Sequence, residues 1–179
     1  PIAQHTIDVT GIPTEDAGII SITEPTGSFT GTQAQNIKVV LKNYGLDTLQ
    51  SVTINWMDRD QVVQTYAWSG QLLYGASDTV SLGNHTFLGG QTRLYAWTSL
   101  PNGIVDSIVL NDSAYTDLNI CMHGTYTVGV NMDYTSISDA VDDLVFSSIC
   151  GPVVIDIDTG IYYEQVEIPA ILGTQANQT

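Results

Sequence analysis

Short segments of alternating apolar and polar residues, separated by turn residues, run through most of the chain. In one of them Ile37, Val39 and Leu41 share one side, while Lys38 and Lys42 share the other. A period of two places alternate side chains on opposite faces of a strand, and the turn signals recur about every 8 to 12 residues. This spacing is typical of an antiparallel β-sandwich with an immunoglobulin-like fold.

The remaining strands of the predicted sandwich follow the same pattern. A first strand contains Ile20 and Ile22, and a third places Val52, Ile54 and Trp56 on one side, so that Trp56 is interpreted as the core tryptophan. The further strands are predicted over residues 62–68, 79–82, 85–88, 92–97, 104–110 and 115–120. Glycine-rich turns, among them a predicted turn at residues 83–84, separate them.

The hydrophobic period changes from two to 3.6 beyond residue 121. Five apolar residues at helical spacing form one stripe: Ile137, Ala140, Val141, Leu144 and Val145. Ser136 is predicted to cap this helix, with Asp139 three residues on as a variant of the capping box. A helix of about ten residues is not stable alone, so it must pack on a neighbour. The apolar run over 152–157 predicts a strand for that purpose.

The charge distribution changes at the same place. Residues 1–120 carry 11 acidic residues and all four Lys and Arg residues, whereas residues 121–179 carry eight acidic residues and no Lys or Arg. We therefore expect a linker from an upstream region at 1–16, a sandwich at 17–120 and a second, incomplete domain at 121–179.

The acidic balance excludes several function classes. With a net charge of -15, the surface repels nucleic acid phosphates and anionic lipid heads. No apolar run reaches about 18 residues, so no membrane insertion is predicted. The sequence contains no phosphate loop, nucleophile elbow or zinc pattern, and therefore indicates no catalytic residue and no cofactor.

Several stretches of the predicted sandwich resemble CARDB domains, which are immunoglobulin-like adhesion modules. The resemblance lies in Val40-Leu41-Lys42-Asn43-Tyr44-Gly45, Ile54-Asn55-Trp56, Leu73-Tyr74-Gly75-Ala76-Ser77-Asp78-Thr79-Val80 and Asn111-Asp112-Ser113. The family usually has Pro-Gly where this chain has Tyr74-Gly75. The resemblance implies a spacer or adhesive domain that is not an enzyme.

Residues 124–169 resemble the N-terminal entry of right-handed parallel β-helix domains of the pectin-lyase-like type. The matching runs are the helix segment 133–141, the strand 151–157 and the run 160–169 with its Gly-x-Tyr-x-Glu-x-Val-x-Ile spacing. The resemblance implies a capping helix and a first coil, and one coil cannot bury both faces. We therefore expect further coils beyond the 179 residues. Asp156, Asp158, Glu164 and Glu167 are interpreted as outward residues rather than as paired catalytic carboxylates.

Four aromatic residues in the sandwich are candidates for a binding patch. Tyr66 and Trp68 alternate along one strand, as Tyr95 and Trp97 do along another. If the two faces coincide, flat aromatic rings would suit sugar rings or a partner protein. The alternative is cross-strand packing on a half-covered sheet or contact with the neighbouring domain.

Cys121 and Cys150 are the only cysteines, 29 positions apart. In an exported acidic protein we expect them to pair, and the alternative is two free buried thiols.

Calcium is a second candidate ligand, since the loop with Asp106, Asn111 and Asp112 carries hard oxygen donors. Ordinary turn hydrogen bonds explain the same residues without a metal.

Asp-Ser/Thr-aliphatic triplets recur in the sandwich and offer candidate O-glycosylation sites at Thr48, Thr79, Ser107 and Ser113. They are similar to the acceptor triplet of bacteria that use the type IX secretion system. Before the C-terminal edge of the sequence, two Asn-x-Ser/Thr sequons begin at Asn84 and Asn111.

Taken together, these patterns predict a structural or adhesive segment of a large secreted or cell-surface bacterial protein. Its expected partners are the rest of its own chain, surface glycans, and secretion or cell-surface proteins. The alternative is the non-catalytic N-terminal part of a secreted carbohydrate-active β-helix enzyme.

Overall fold

Alternating segments form antiparallel strands over most of the chain. The structure is a computed structural model that describes residues 11–27, 29–31, 33–147 and 149–171. Its strands are β1 (Ala17–Glu24), β2 (Ala34–Asn43), β3 (Leu49–Met57), β4 (Gln64–Leu72), β5 (Ser77–Thr86), β6 (Gly90–Ser99), β7 (Ser113–Ile120), β8 (Met122–Val128) and β9 (Ile149–Ile157). A 3-10 turn at Pro101–Gly103 and the helix α1 (Ile137–Phe146) are also formed.

The strands make a three-stranded sheet in the order β1-β2-β5 and a four-stranded sheet in the order β4-β3-β6-β7. The pairs β1-β2, β3-β4 and β3-β6 are antiparallel. Alternate positions of these strands are buried, among them Ile37, Val39, Leu41, Val52, Ile54, Trp56, Leu94 and Ala96. The mainly β, sandwich-type fold class and the core position of Trp56 are confirmed.

The chain divides into two compact units. The first unit comprises Pro1–Pro25, Asn36–Asn84 and Arg93–Thr116, and the second comprises Thr26–Gln35, His85–Thr92 and Asp117–Thr179. The predicted domain bounds at 17–120 and 121–179 stay a prediction, and residues 1–10 of the predicted linker lie outside the described part of the chain.

The second unit has its own small core. Met122, Tyr126, Val128, Tyr134 and Ala140 form a buried cluster. The strands β8 and β9 pair in parallel beside it. Helix α1 begins as predicted, because the Ser136 hydroxyl accepts a hydrogen bond from the Asp139 amide at 3.1 Å.

The run 160–169 keeps its alternation but is not a strand. Tyr162, Glu164 and Val166 are half-buried, while Tyr163 and Gln165 between them, and Ile161 before them, are exposed. No ladder partner lies beside this run among the described residues, since the sheet to which it would belong ends at β9. Tyr162 and Val166 have the inward parity that the sequence predicts, whereas Ile168 is exposed and the predicted first coil is not formed as a strand.

Two strand predictions in the sandwich are wrong. Residues 104–110 form a loop that exposes Val105, Val109 and Leu110. The Asp106 carboxylate accepts hydrogen bonds from the Ala17 and Ile108 amides, so side-chain bonds replace a ladder there. The predicted turn at 83–84 is also absent, because β5 continues through it to Thr86.

Candidate functional site

The register of the four-stranded sheet decides which aromatic side chains reach its outer face. Trp68 lies directly opposite Val52 and Tyr66 opposite Ile54. Directly paired residues in an antiparallel ladder share one face. Since Val52 and Ile54 are core residues, Trp68 and Tyr66 belong to the inner face. Trp68 is only 8% exposed, and its indole N–H donates to the Asp78 carboxylate at 3.4 Å.

Tyr95 and Trp97 lie on the other face of the same sheet. Trp97 pairs with Asn55 and Tyr95 with Met57, which alternate with the core residues of β3. Both rings are half-buried. The four residues predicted as one patch are therefore divided between two faces, and the patch is not formed as predicted. The reason is that parity along a strand does not reveal which face is buried until the partner strand is known.

The outer face instead holds a row of three rings. Tyr95 stacks on Tyr115 of β7, with ring centroids 5.9 Å apart and planes 12° apart. Trp97 meets Tyr95 edge to face at 6.4 Å. The Arg93 guanidinium lies 4.2 Å from the centroid of the Tyr115 ring. We call Arg93, Tyr95, Trp97 and Tyr115 the outer aromatic row.

Polar side chains lie beside the tryptophan end of the row. The Asn55 amide donates to the Ser99 hydroxyl at 2.9 Å, and Ser99 lies two residues from Trp97 on the same face. Thr53 and Thr65 also point outward, since Thr53 pairs with Ser99 and Thr65 with Asn55. Asn55 itself is only 8% exposed, so the outer aromatic row offers flat apolar surface with nearby hydroxyl groups.

The sequence carried a signal for the two residues that the patch prediction missed. Tyr115 is an odd number of positions from the buried Leu118 and Ile120 of the same strand. Its side chain is therefore expected on the opposite, outward face. Arg93 alternates with Leu94 and belongs to the same parity as Tyr95 and Trp97. If every aromatic and cationic residue had been assigned to a face by its alternation with apolar neighbours, Tyr115 and Arg93 would both have been included in the predicted patch.

The two cysteines of the second unit are joined. A disulfide connects Cys121 to Cys150, with Cα atoms 5.7 Å apart. Cys121 precedes β8 and Cys150 lies in β9, the strand that pairs with β8. The disulfide thus links the entry of one strand of the parallel pair to the other strand.

Glu164 has a role that its outward interpretation missed. Its carboxylate accepts hydrogen bonds from the Ile137 amide at 2.9 Å, and from the amide and hydroxyl of Ser138 at 2.8 and 2.6 Å. These amides belong to the first turn of α1, where backbone N–H groups lack helical partners. The Ser138 hydroxyl and the two amides lower the pKa of Glu164. The residue therefore ties the segment after β9 to the start of α1, while Asp156, Asp158 and Glu167 are exposed as expected.

The first unit holds a contrasting group of carboxyls. The Asn111 amide donates to Asp16 at 2.9 Å, and the Asp106 carboxylate is bonded to backbone amides. An oxygen of the Asp112 carboxyl is buried with no hydrogen-bond partner. Burial, and then the charges of Asp106 and Asp16, raise the pKa of Asp112 to about 6. Burial also raises the pKa of Asp16.

The described part of the chain offers no group of three or more His, Cys, Asp or Glu residues that could hold a metal ion. In the loop suggested for calcium, the Asp106 oxygens accept hydrogen bonds from backbone amides, whereas the Asn111 side-chain oxygen and one Asp112 carboxyl oxygen are buried without a partner. In residues 11–27, 29–31, 33–147 and 149–171, no helix has the length and apolar character to span a membrane.

Of the four predicted glycosylation sites, Thr79, Ser107 and Ser113 are exposed and Thr48 is half-buried. Their modification stays a prediction.

Comparison with known proteins gives a fold likeness. No family model matches the sequence, and no curated protein is significantly similar to it. The crystal structure of the CARDB domain of the PF1109 protein from Pyrococcus furiosus, in complex with di-metal ions, is similar with a TM-score of 0.50 and 18% identity, covering 62% of this chain and 96% of that chain. A solution NMR structure of the same domain gives a TM-score of 0.47 at 18% identity, over 59% of this chain and 94% of that chain. The likeness to the crystal structure supports a CARDB-like, immunoglobulin-like fold.

Proposed function

We propose that the chain is a non-catalytic structural and adhesive segment of a large secreted or cell-surface bacterial protein, and that the outer aromatic row is its recognition surface. The observation that carries this proposal is the row itself, three rings and a guanidinium on the outer face of a sheet. Adhesion needs a surface of this kind and no reacting groups. The CARDB-like fold supports the same function.

The second unit has a mechanical role in this proposal. Its parallel strand pair, its capped helix and the alternating burial of Tyr162, Glu164 and Val166 support the entry of a β-helix. Parallel sheets are normally covered on both faces and extended by further strands. The disulfide and Glu164 would hold the start of such a solenoid in place.

Export and glycosylation belong to the same proposal. An acidic chain with a disulfide suits an oxidising compartment outside the cytoplasm. The exposed Asp-Ser/Thr triplets at Thr79, Ser107 and Ser113 support O-glycosylation and secretion by the type IX route. A mass increment on peptides containing these residues, in protein isolated from its native source, is the expected result.

Binding to isolated bacterial envelopes tests the proposed function. Fluorescently labelled protein is incubated with envelope fragments, and bound protein is measured after washing. We expect Trp97→Ala to reduce binding at least fivefold, because it removes the largest ring of the row. The matched control is Tyr163→Ala, which removes an aromatic side chain that is 94% exposed in the second unit. Equal binding by the wild type and Trp97→Ala would refute the row as the recognition surface.

The alternative places the same segment at the start of a secreted carbohydrate-active β-helix enzyme. The parallel β8-β9 pair favours it as much as it favours a stalk. In both cases the segment itself carries no catalysis. Release of reducing sugars by the full-length protein would support the enzyme, and its absence would favour the stalk.

A further inference from the structure

The outward positions around the row are almost free of charge. They carry hydroxyl, amide, thioether and small side chains: Ser51, Thr53, Asn55 and Met57 on β3, Thr65, Ala67 and Ser69 on β4, and Ser99 on β6. Arg93 and Asp117, which lies two positions from Tyr115 on β7, are the two charged residues at the described outward positions 51–57, 65–69, 93–99 and 113–119. This is unusual in a chain with 19 acidic residues and a net charge of -15.

We infer that the outer aromatic row binds an uncharged glycan, whose sugar rings lie on Trp97 and Tyr95. This inference rests on the proposed function and names the class of its ligand. Sugar rings have apolar C–H faces and polar edges, which match an amphipathic surface of aromatic rings beside hydroxyl groups.

The charge distribution selects an uncharged ligand. A polyanionic glycan meets the repulsion of the whole acidic chain and finds a single guanidinium on this face. A cationic ligand finds a single carboxylate on this face, that of Asp117, and the Arg93 guanidinium on the same face repels such a ligand. A neutral glycan is not repelled by the acidic chain and needs no charged partner on this face.

The composition of the face also argues against a protein partner. Protein interfaces are enriched in Tyr, Trp, Met and Arg, which this face also carries, but they are depleted of Ser and Ala. Here no Leu, Ile, Val or Phe occupies the outward positions described above, and Ser and Thr dominate. The Ser99 hydroxyl accepts a hydrogen bond from Asn55 and still has its own proton to donate to a sugar hydroxyl.

Affinity electrophoresis with soluble polysaccharides tests the inference. Gels contain hydroxyethyl cellulose, xylan or galactomannan as neutral probes, and polygalacturonate or alginate as acidic probes. We expect at least one neutral polymer to retard the protein. Titration calorimetry with the matching oligosaccharide is expected to give at least a fivefold weaker Kd for Trp97→Ala, and an unchanged Kd for Tyr163→Ala. The Kd is expected to change less than about twofold between roughly 50 and 500 mM NaCl, because no ion pair is formed.

Three outcomes overturn the inference: no retardation by any neutral polymer, retardation by acidic polymers alone, or equal affinity of the wild type and Trp97→Ala. Circular dichroism of the variant confirms that it is folded, and Ser99→Ala, which leaves every ring in place, is a second variant expected to weaken binding. Envelope binding separates this inference from the proposed function. Binding that depends on Trp97 but is lost after protease treatment, and survives periodate oxidation of glycans, would keep the adhesive function and refute the glycan ligand.

Discussion

The two compact units of this chain are stabilised by different means. The first unit buries apolar side chains from two antiparallel sheets, including Ile54 and Trp56. The second unit has a small core, a two-stranded parallel sheet and a ten-residue helix. It adds a disulfide and the carboxylate of Glu164, which is bonded to the start of the helix.

The difference is the reason that we propose a recognition surface in the first unit. An antiparallel sheet that packs one face on a well-filled core can carry aromatic rings on its solvent-facing side without losing stability. A small unit with little core needs covalent and charged links to hold its elements, as small domains generally do. We therefore place recognition in the first unit and mechanical support in the second.

Matched tryptophan substitutions on the two faces of the four-stranded sheet give the largest expected effect. Trp56→Ala removes a buried ring and should lower the free energy of unfolding by about 3–5 kcal/mol. Trp97→Ala on the outer face should cost less than about 1 kcal/mol. Urea unfolding followed by the fluorescence of the remaining tryptophans measures both, and equal losses would show that the outer row is part of the core.

Loss of the disulfide should affect the second unit alone. The double variant Cys121→Ser/Cys150→Ser opens a loop with a sequence separation of 29. The expected loss is about 3–4 kcal/mol in the chain-entropy description. Hydrogen exchange of the α1 amides measures it. All three tryptophans lie in the first unit, so their fluorescence should not change. An altered tryptophan transition would contradict the assignment of the disulfide to the second unit.

The stability of the first unit should fall as pH rises. The pKa of Asp112 is raised in the folded protein to about 6, so its contribution is complete at low pH and is lost as pH rises through about 6. The contribution is at most about 2 kcal/mol after allowance for solvent screening. The stability of Asp112→Asn relative to the wild type should therefore increase between about pH 4 and pH 7.

Urea unfolding followed by tryptophan fluorescence at a series of pH values checks this prediction. The control is Asp60→Asn, which changes an exposed carboxyl of the same unit. The prediction fails if the difference between Asp112→Asn and the wild type is the same at every pH.

The second unit should respond to pH with the opposite sign. Since hydrogen bonds lower the pKa of Glu164, its contribution is present above about pH 4.5 and is lost as pH falls through the folded-state value. In the wild type, protection of the first α1 amides against hydrogen exchange should decrease at low pH. Glu164→Gln should show reduced protection at neutral pH and little further change on acidification.

Glu167→Gln, which alters an exposed carboxyl three residues away, serves as the control for Glu164→Gln. Identical exchange profiles for the two variants would show that the hydrogen bonds of Glu164 do not stabilise the helix. This is the smallest of the expected effects, because the helix also packs through Ala140 and Val141.

Most of the strands could be predicted from local pattern, and the failures have physical causes. Alternation identified β2, β3, β6 and β7, and the helix was predicted with its cap at Ser136. Residues 104–110 have an equally good strand pattern. They form a loop because Asp106 bonds to amides that a ladder would have used, one of them 89 positions away in the sequence. Such a long-range side-chain bond has no local signal.

The candidate site was predicted less well than the fold. Tyr95 and Trp97 were identified, but Trp68 was assigned to the wrong face, because its parity could be interpreted only through its pairing with Val52. Glu164 was taken as outward. Glu164 lies 26 positions after Ser138 in the sequence, and no local hydrophobic period predicts a contact between residues so far apart.

The indole N–H signals of the three tryptophans provide the most direct test of the outer row as the recognition surface. A ¹⁵N-labelled protein is titrated with cellohexaose, xylohexaose or mannohexaose, chosen by the polymer that retards it. The Trp97 signal should shift progressively, while the signals of the buried Trp56 and Trp68 stay in place. Movement of the Trp68 signal alone, or no movement of any indole signal with all three sugars, would contradict the account.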